Sequence, residues 1–206
     1  MTYAVNEIYY TLQGEGANTG RPAVFLRFSG CNLWSGREED RATAICQFCD
    51  TDFVGGTKYS SAEELAEEVV GQWFGNGTSK RFVVITGGEP LLQLDQPLID
   101  SLHKRGFEIA IETNGTIEAP AGIDWICVSP KAGTVIKQRT GHELKLVYPQ
   151  SGIMPAELER LKFKHFFLQP LYGPNTEQNT ELAARYCLEH PRWRLSLQTH
   201  KLLGIR

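Results

Sequence analysis

Three cysteines carry the strongest chemical signal in this chain. Cys31, Cys46 and Cys49 lie within nineteen positions, with fourteen residues between the first two and two between the last two. A C-x-x-C pair lets two thiolates reach one metal centre from a single turn, and a third cysteine at the end of the preceding strand completes a three-ligand set. Two chemistries stay open on the cysteines alone. A structural zinc site needs a fourth protein ligand, for which distant His103, His142 or Cys127 are the candidates. A cubane iron–sulfur cluster needs only three thiolates when its fourth iron binds something other than protein, and that open iron can do chemistry. Cys46 and Cys49 stand beside Gln47, Asp50 and Asp52, a polar setting that argues against idle core thiols. Cys127 and Cys187 sit among apolar neighbours and read as small buried side chains.

A second signal is Thr86-Gly87-Gly88-Glu89-Pro90, which follows an apolar run and precedes a helical one. Two glycines let a ligand approach the main chain closely, and a proline suits the first turn of a helix. Glu89 could accept hydrogen bonds from a ligand ammonium. Three other apolar runs end in polar groups: Glu112-Thr113-Asn114-Gly115, Ser129-Pro130-Lys131 and Gln169-Pro170. In parallel β/α folds the C-terminal ends of the strands form the ligand face. Four such ends suggest one shared pocket.

The elements that must carry these groups show in the apolar pattern. Nearly continuous β-branched and aromatic runs occur at Ala23–Phe28, Phe82–Thr86, Phe107–Glu112, Trp125–Ser129, Glu143–Tyr148, His165–Gln169 and Trp193–Thr199. Runs of that kind belong to strands buried on both faces of a parallel sheet. Ala4–Leu12 reads as an additional strand at an edge. Ser60-Ser61-Ala62-Glu63-Glu64 forms a capping box opening a helix to about Phe74. Leu91 to Arg105 carries a helical stripe closed by Gly106, and Thr176 to His190 stops at Pro191. The connections 114–124 and 129–141 are too short, or too rich in Gly and Pro, for full helices. The expected fold is α/β: a partial, open (β/α) barrel with about six parallel core strands and reduced crossover helices, one domain over residues 1–206.

Composition sets limits on the partners. The 206 residues carry a net charge of −3, with 41% apolar and 22% charged residues and no basic run, so a nucleic-acid partner is not expected. No apolar segment approaches the ~20 residues of a membrane span, and the start lacks the pattern of a signal peptide. A cytoplasmic location is the default, and in that reducing compartment clustered cysteines bind metal rather than each other. The charged stretch Ser35–Arg41, within the insertion 32–45 between cluster cysteines, reads as a solvated loop or short helix.

Together, the three cysteines and the downstream Gly-Gly-Glu-Pro resemble the radical S-adenosylmethionine enzymes. That resemblance favours a 4Fe–4S cluster over zinc. The usual first motif there is C-x3-C-x2-C, so the longer gap here is an insertion, which a closing loop tolerates. The likeness extends along the chain through Glu7-Ile-Tyr-Tyr-Thr-Leu-Gln-Gly-Glu-Gly16, Arg27-Phe-Ser-Gly-Cys-Asn-Leu33, Cys49-Asp-Thr-Asp52 and Leu197-Gln-Thr-His-Lys201. These segments are similar to the 7-carboxy-7-deazaguanine synthase family. A glycyl-radical activase shares the cysteine pattern but would need a protein-docking surface rather than a carboxylate clamp.

The resemblance implies a reaction and a set of roles. The family converts 6-carboxy-5,6,7,8-tetrahydropterin to 7-carboxy-7-deazaguanine with loss of ammonia, on the route to queuosine. Cys31, Cys46 and Cys49 would hold the cluster, and Thr51 matches the family's Mg²⁺ position. Gly88, Glu89, Ser129, Pro130, Lys131, Gln169, Pro170, Leu171 and Tyr172 would bind S-adenosylmethionine. Leu12, Gln13, Gly14, Glu15, Arg27, Thr86 and His200 would contact the pterin, with the planar fork of Arg27 matching its carboxylate. An electron donor such as a flavodoxin or ferredoxin and a homodimeric assembly are further implications. Arg206 fits no rule and is left outside the expected site.

Overall fold

Nine strands form one sheet in the computed structural model, which describes residues 2–76 and 80–206. In chain order they are β1 Tyr3–Leu12, β2 Pro22–Phe28, β3 Thr57–Tyr59, β4 Arg81–Gly87, β5 Phe107–Thr113, β6 Trp125–Val128, β7 Thr140–Tyr148, β8 Lys162–Pro170 and β9 Trp193–Leu195. Across the sheet they run β3-β1-β2-β4-β5-β6-β7-β8-β9. β1 is antiparallel to both neighbours, and every pairing from β2 through β9 is parallel. The expected open, mostly parallel architecture is present, with β2 and β4 through β9 all pointing one way. β1 is not an edge strand as expected, because the short β3 pairs along its outer side.

The reduced crossovers are also visible. Helix α1 spans Ala62–Gly71 and α2 spans Gln96–Lys104, but the connections from β5 to β6 and from β6 to β7 contain no helix. The four-residue α3, Pro155–Leu158, joins β7 to β8, while α4, Thr176–Glu189, joins β8 to β9. α1 begins as its sequence dictates: Ser61 accepts a bond from the Glu64 amide, and the Glu64 carboxylate accepts from both the amide and hydroxyl of Ser60. It ends before the expected Phe74, at Gly71. α2 also starts later than its leucine stripe suggests. Pro90–Leu92 forms a separate 3-10 turn, and Asp95 caps a new start by accepting from the Leu98 amide, with Pro97 in the first turn.

Strand alternation decides what faces the site. Val24, Leu26 and Phe28 of β2, Val83 and Ile85 of β4, and Ile109 and Ile111 of β5 point outward into a core shared with α1 and α2. Leu144 and Leu146 of β7 and Phe166 and Leu168 of β8 do the same toward α4. The intervening residues face the concave side. Near the strand starts these are apolar, with Ala23, Phe25, Phe82, Val84 and Ala110 in one cluster. One or two pleats further on they become Arg27, Thr86, Glu112 and Lys145, which line a cavity. Two-sided burial thus explains the continuous apolar runs, and polar strand ends explain where the cavity opens.

Candidate active site

The cavity at the C-terminal ends of the parallel strands has a volume of about 470 Å³. Cys31, Cys46 and Cys49 lie on its wall. Cys31 follows β2, and its sulfur accepts a bond from the Leu33 amide at 3.4 Å. Burial pushes its thiol pKa up. The neighbouring Cys46 thiol draws the Cys49 thiol below its ordinary value, to about 6. The donor set is three sulfurs on one wall. The zinc alternatives are engaged elsewhere: His103 pairs with Asp124 at 2.9 Å, and the ring of His142 accepts from the Ile126 amide. Cys127 is buried against Glu143. Among the described residues no group of three or more His, Cys, Asp or Glu is compact enough for one metal ion. A cubane spreads three thiolates around a larger cage and leaves one iron for a ligand, which fits this donor set.

The glycine turn explains how Cys31 is held. Gly87 has φ +132°, and a Cβ there would stand 2.1 Å from the Phe28 carbonyl oxygen. A Cβ on Gly88 would stand 2.1 Å from the Gly30 carbonyl oxygen and 2.8 Å from the Cys31 Cβ. The two glycines admit the Cys31 loop as closely as they would admit a ligand. Glu89 differs from its expected part. Its carboxylate is fully buried and accepts from the Leu91 amide at 3.0 Å, the Thr113 hydroxyl at 2.7 Å and the Asn114 amide at 2.8 Å. Every partner is internal, so Glu89 ties the turn to the end of β5 rather than presenting its carboxylate to the cavity.

The rest of the lining is strongly polar. Lys145 is 3% exposed and its ammonium pairs with Glu15 and, at 3.3 Å, with Glu112. Gln13 donates to Glu112 at 3.1 Å, and Gln198 donates to Glu15 at 2.9 Å. Burial alone would raise the Glu15 pKa, but Lys145 and Gln198 overrule it and hold it at about 2. Arg27 donates to Glu7 at 2.8 Å and to the Tyr9 hydroxyl at 3.1 Å, with its side chain 17% exposed. Lys131 donates to the carbonyl and hydroxyl of Ser129; burial draws its pKa down against the opposing pull of Cys46 and Cys49.

The Radical SAM superfamily model matches residues 40–143. Its match begins inside the insertion, taking in Cys46, Cys49 and the Gly-Gly-Glu-Pro turn but not Cys31. The chain is 61% identical over 210 residues to the 7-carboxy-7-deazaguanine synthase of Caulobacter vibrioides, covering 100% of both. It is 62% identical over 211 residues to that of Bradyrhizobium diazoefficiens, again covering 100% of both. The chain belongs to the 7-carboxy-7-deazaguanine synthase family. The crystal structure of QueE from Escherichia coli shares its fold with a TM-score of 0.71 at 31% identity, over 96% of this chain and 94% of that one. As a radical S-adenosylmethionine enzyme of this family, the chain takes a 4Fe–4S cluster and S-adenosylmethionine as cofactors.

Most residues that the family resemblance singled out meet in the cavity. Leu12, Gln13, Gly14, Glu15, Arg27, Thr86 and His200 line it, as do Gly88, Ser129, Lys131 and Gln169 to Tyr172. Thr51 lines it beside the cysteines. Pro130 does not: it is buried, and its carbonyl accepts from Gln150. His200 arrives on α5, Thr199–Leu203, because the amide and hydroxyl of Thr199 both donate to the Gly14 carbonyl. A Cβ on Gly14 would come within 2.2 Å of the His200 ring, so that glycine makes room for the helix. Lys201 pairs with Asp50 at 2.8 Å and lies over the Tyr172 ring at 3.4 Å, joining the cluster loop to the loop after β8. Asp52 organises its own turn by accepting from the Val54 amide.

Lys145, Gln198 and Arg206 are among the cavity residues outside the expected site. Lys145 was legible in principle, since a lysine inside the apolar run Glu143–Tyr148 has to be paired. Gln198 sits within the Leu197–Lys201 segment, yet only its bond to Glu15 gives it a part. Arg206 corrects the expectation directly: its guanidinium lies over the Tyr9 ring at 4.5 Å and pairs with Glu7, beside Arg27.

Proposed function

We propose that this chain converts 6-carboxy-5,6,7,8-tetrahydropterin to 7-carboxy-7-deazaguanine with loss of ammonia. The observation that carries the reading is that the three thiols and Arg27 line one cavity whose walls also hold Gln13, Glu15 and His200. The cluster and S-adenosylmethionine, when bound, supply a carbon-centred radical able to take a hydrogen atom from the pterin ring. Everything else is asked of the chain's own residues.

Cys31, Cys46 and Cys49 hold the cluster. Gly88, Ser129, Pro130, Lys131, Gln169, Pro170, Leu171 and Tyr172 shape the cradle for S-adenosylmethionine, with Pro130 and Glu89 acting through the backbone they hold. Arg27 meets the substrate carboxylate, while Leu12, Gln13, Gly14 and Glu15 read the pterin edge and Thr86 and His200 close on it. Gln13 and Glu15 are held for that task by Glu112, Lys145 and Gln198, so their amide and carboxylate do not need to reorganise on binding. Thr51 would help hold a Mg²⁺, a hard cation suited to oxygen ligands and retained waters that would supply positive charge beside the substrate. Residues 1–206 act as one catalytic domain, with 32–45 an insertion in its cluster loop.

The partners follow from the same reading. A small electron-transfer protein of flavodoxin or ferredoxin type reduces the cluster, the working unit is a homodimer, and the location is cytoplasmic. Among the described residues no helix is long and apolar enough to cross a membrane. The test is an anaerobic assay of protein reconstituted with iron and sulfide, given reductant, S-adenosylmethionine, Mg²⁺ and 6-carboxy-5,6,7,8-tetrahydropterin. Mass spectrometry should find 7-carboxy-7-deazaguanine, abolished by Cys46→Ala. Formation of 5′-deoxyadenosine without that product would sink the substrate assignment, and absence of both with a verified cluster would sink the activity.

A further inference from the structure

The insertion between Cys31 and Cys46 forms the expected short helical turn, with exposed charges set over a buried tryptophan. Trp34 is 7% exposed, donates its indole N–H to the Arg37 carbonyl at 3.1 Å, and packs edge-on to Phe53 with ring centres 5.5 Å apart. Glu38–Thr43 forms a 3-10 turn whose Arg41 lies over the Trp34 ring at 4.0 Å. From there the Arg41 guanidinium reaches the metal-binding turn. One of its nitrogens, Nη1, donates to the Gln47 carbonyl at 2.9 Å and to the Cys49 carbonyl at 3.1 Å. The other two hold Glu38, through Nε at 2.7 Å and Nη2 at 2.5 Å.

We propose that Arg41 is a positioning residue of the cluster: it fixes the Cys46–Cys49 turn through those two carbonyls and, with Glu38 as its counter-charge, sets the cluster's reduction potential. This rests on the reading that Cys31, Cys46 and Cys49 hold a 4Fe–4S cluster. Two features of the geometry carry it. Peptide planarity means that carbonyls held toward Arg41 turn the N–H groups of Phe48 and Asp50 away from it, so the turn's dipoles are fixed. The fixed positive charge of arginine also stands against the chain segment that carries two of the three thiolates. One-electron reduction adds a negative charge to the cluster, and a nearby cation favours the reduced form. The Glu38 carboxylate, being more exposed than Arg41, offsets part of that field.

Reciprocal variants test this on the reconstituted full-length protein. The reduced cluster is followed by electron paramagnetic resonance while dithionite sets the potential through redox mediators. Arg41→Gln removes the cation and should lower the reduced-to-oxidised ratio at fixed potential by about threefold. That equals about 28 mV for one electron at 59 mV per tenfold, a modest shift because solvent screens the pair. Glu38→Gln should move the ratio the other way while keeping the carbonyl bonds, and both shifts should shrink in high salt. Arg41→Lys should restore most of the potential but not the hold on both carbonyls.

A brace without electrostatic influence predicts no shift in Glu38→Gln and at most poorer iron retention in Arg41→Gln. Either that result, or shifts of the same sign in both variants, overturns the proposal. If Arg41→Gln does not retain a cluster, Glu38→Gln alone decides. Failure of the unsubstituted protein to assemble a 4Fe–4S spectrum would refute the cluster reading itself and this inference with it.

Discussion

Replacing Glu89 separates two parts that a glutamate after two glycines could play. If its carboxylate met a bound ligand, Glu89→Gln would weaken that ligand's binding and leave the protein's stability nearly untouched. Its surroundings point the other way. The carboxylate is 0% exposed and serves three donors, the amides of Leu91 and Asn114 and the hydroxyl of Thr113. Each buried donor left without an acceptor costs about 1–3 kcal/mol, so Glu89→Ala should lose about 3 kcal/mol or more even after partial relaxation. For a domain of this size that corresponds to a fall in Tm of about 6–12 °C. Glu89→Gln should lose less, about 1–3 kcal/mol, because its amide nitrogen can accept from no donor and one of the three is orphaned. The assay is urea and thermal unfolding of the cluster-free protein, with no S-adenosylmethionine present. Loss of stability in that setting cannot come from a missing ligand contact. If Glu89→Ala unfolds within about 0.5 kcal/mol of the parent, the internal-tie argument is wrong and a direct role in binding returns.

Other substitutions probe the remaining walls. Lys145→Met leaves Glu15 and Glu112 without their buried cation and should cost about 3–5 kcal/mol at neutral pH. The pH dependence should also change sign for this cluster. In the parent, Glu15 is held at about 2, so its stabilisation is present above the ordinary carboxylate pKa and fades as pH falls toward about 2. In the variant burial raises that pKa, so stability falls as pH rises through the raised value; parallel unfolding curves between pH 3 and 7 would contradict this. Gly88→Ala must push the Gly30–Cys31 loop aside. A destabilisation of about 1–3 kcal/mol is expected, with reduced iron content after reconstitution at unchanged circular dichroism; full iron loading would count against the contact. Arg27→Lys keeps the charge but loses the fork, and should raise the KM for the pterin about tenfold or more. Its substrate-free formation of 5′-deoxyadenosine should stay at the parent's rate, and a parallel loss there would remove Arg27 from the substrate side.

What the sequence revealed and what it concealed divide along a physical line. Continuous apolar runs and strand-end polar groups are local patterns, so β2 and β4 through β9 are legible, as is the meeting of their ends on one cavity. The start of α2 is obscured by a leucine stripe that begins at Leu91, whereas Asp95 and Pro97 are the stronger start signals. The short β3 has too few residues to show a period at all, and it exists because β1 has a free edge to pair with. The site's hidden parts are all pairings between distant segments. Lys145 finds Glu15 across 130 positions, and Arg206 finds Glu7 across 199. No window of sequence contains both partners, since it is the curvature of the sheet that brings β1, β7 and the chain end together.

Arg41 is the instructive exception, because its partners lie only three to eight residues away. Its neighbourhood is rich in charge, and charge-rich segments ordinarily spend their charges on solvent and on each other. What distinguishes this one is Trp34, an aromatic residue seven positions upstream that gives the guanidinium a face to lie on. A charged insertion that carries its own buried tryptophan has a small core, and a small core fixes where its arginine points. That is the difference between a loop that merely closes the gap between two cysteines and one that can influence the metal they hold.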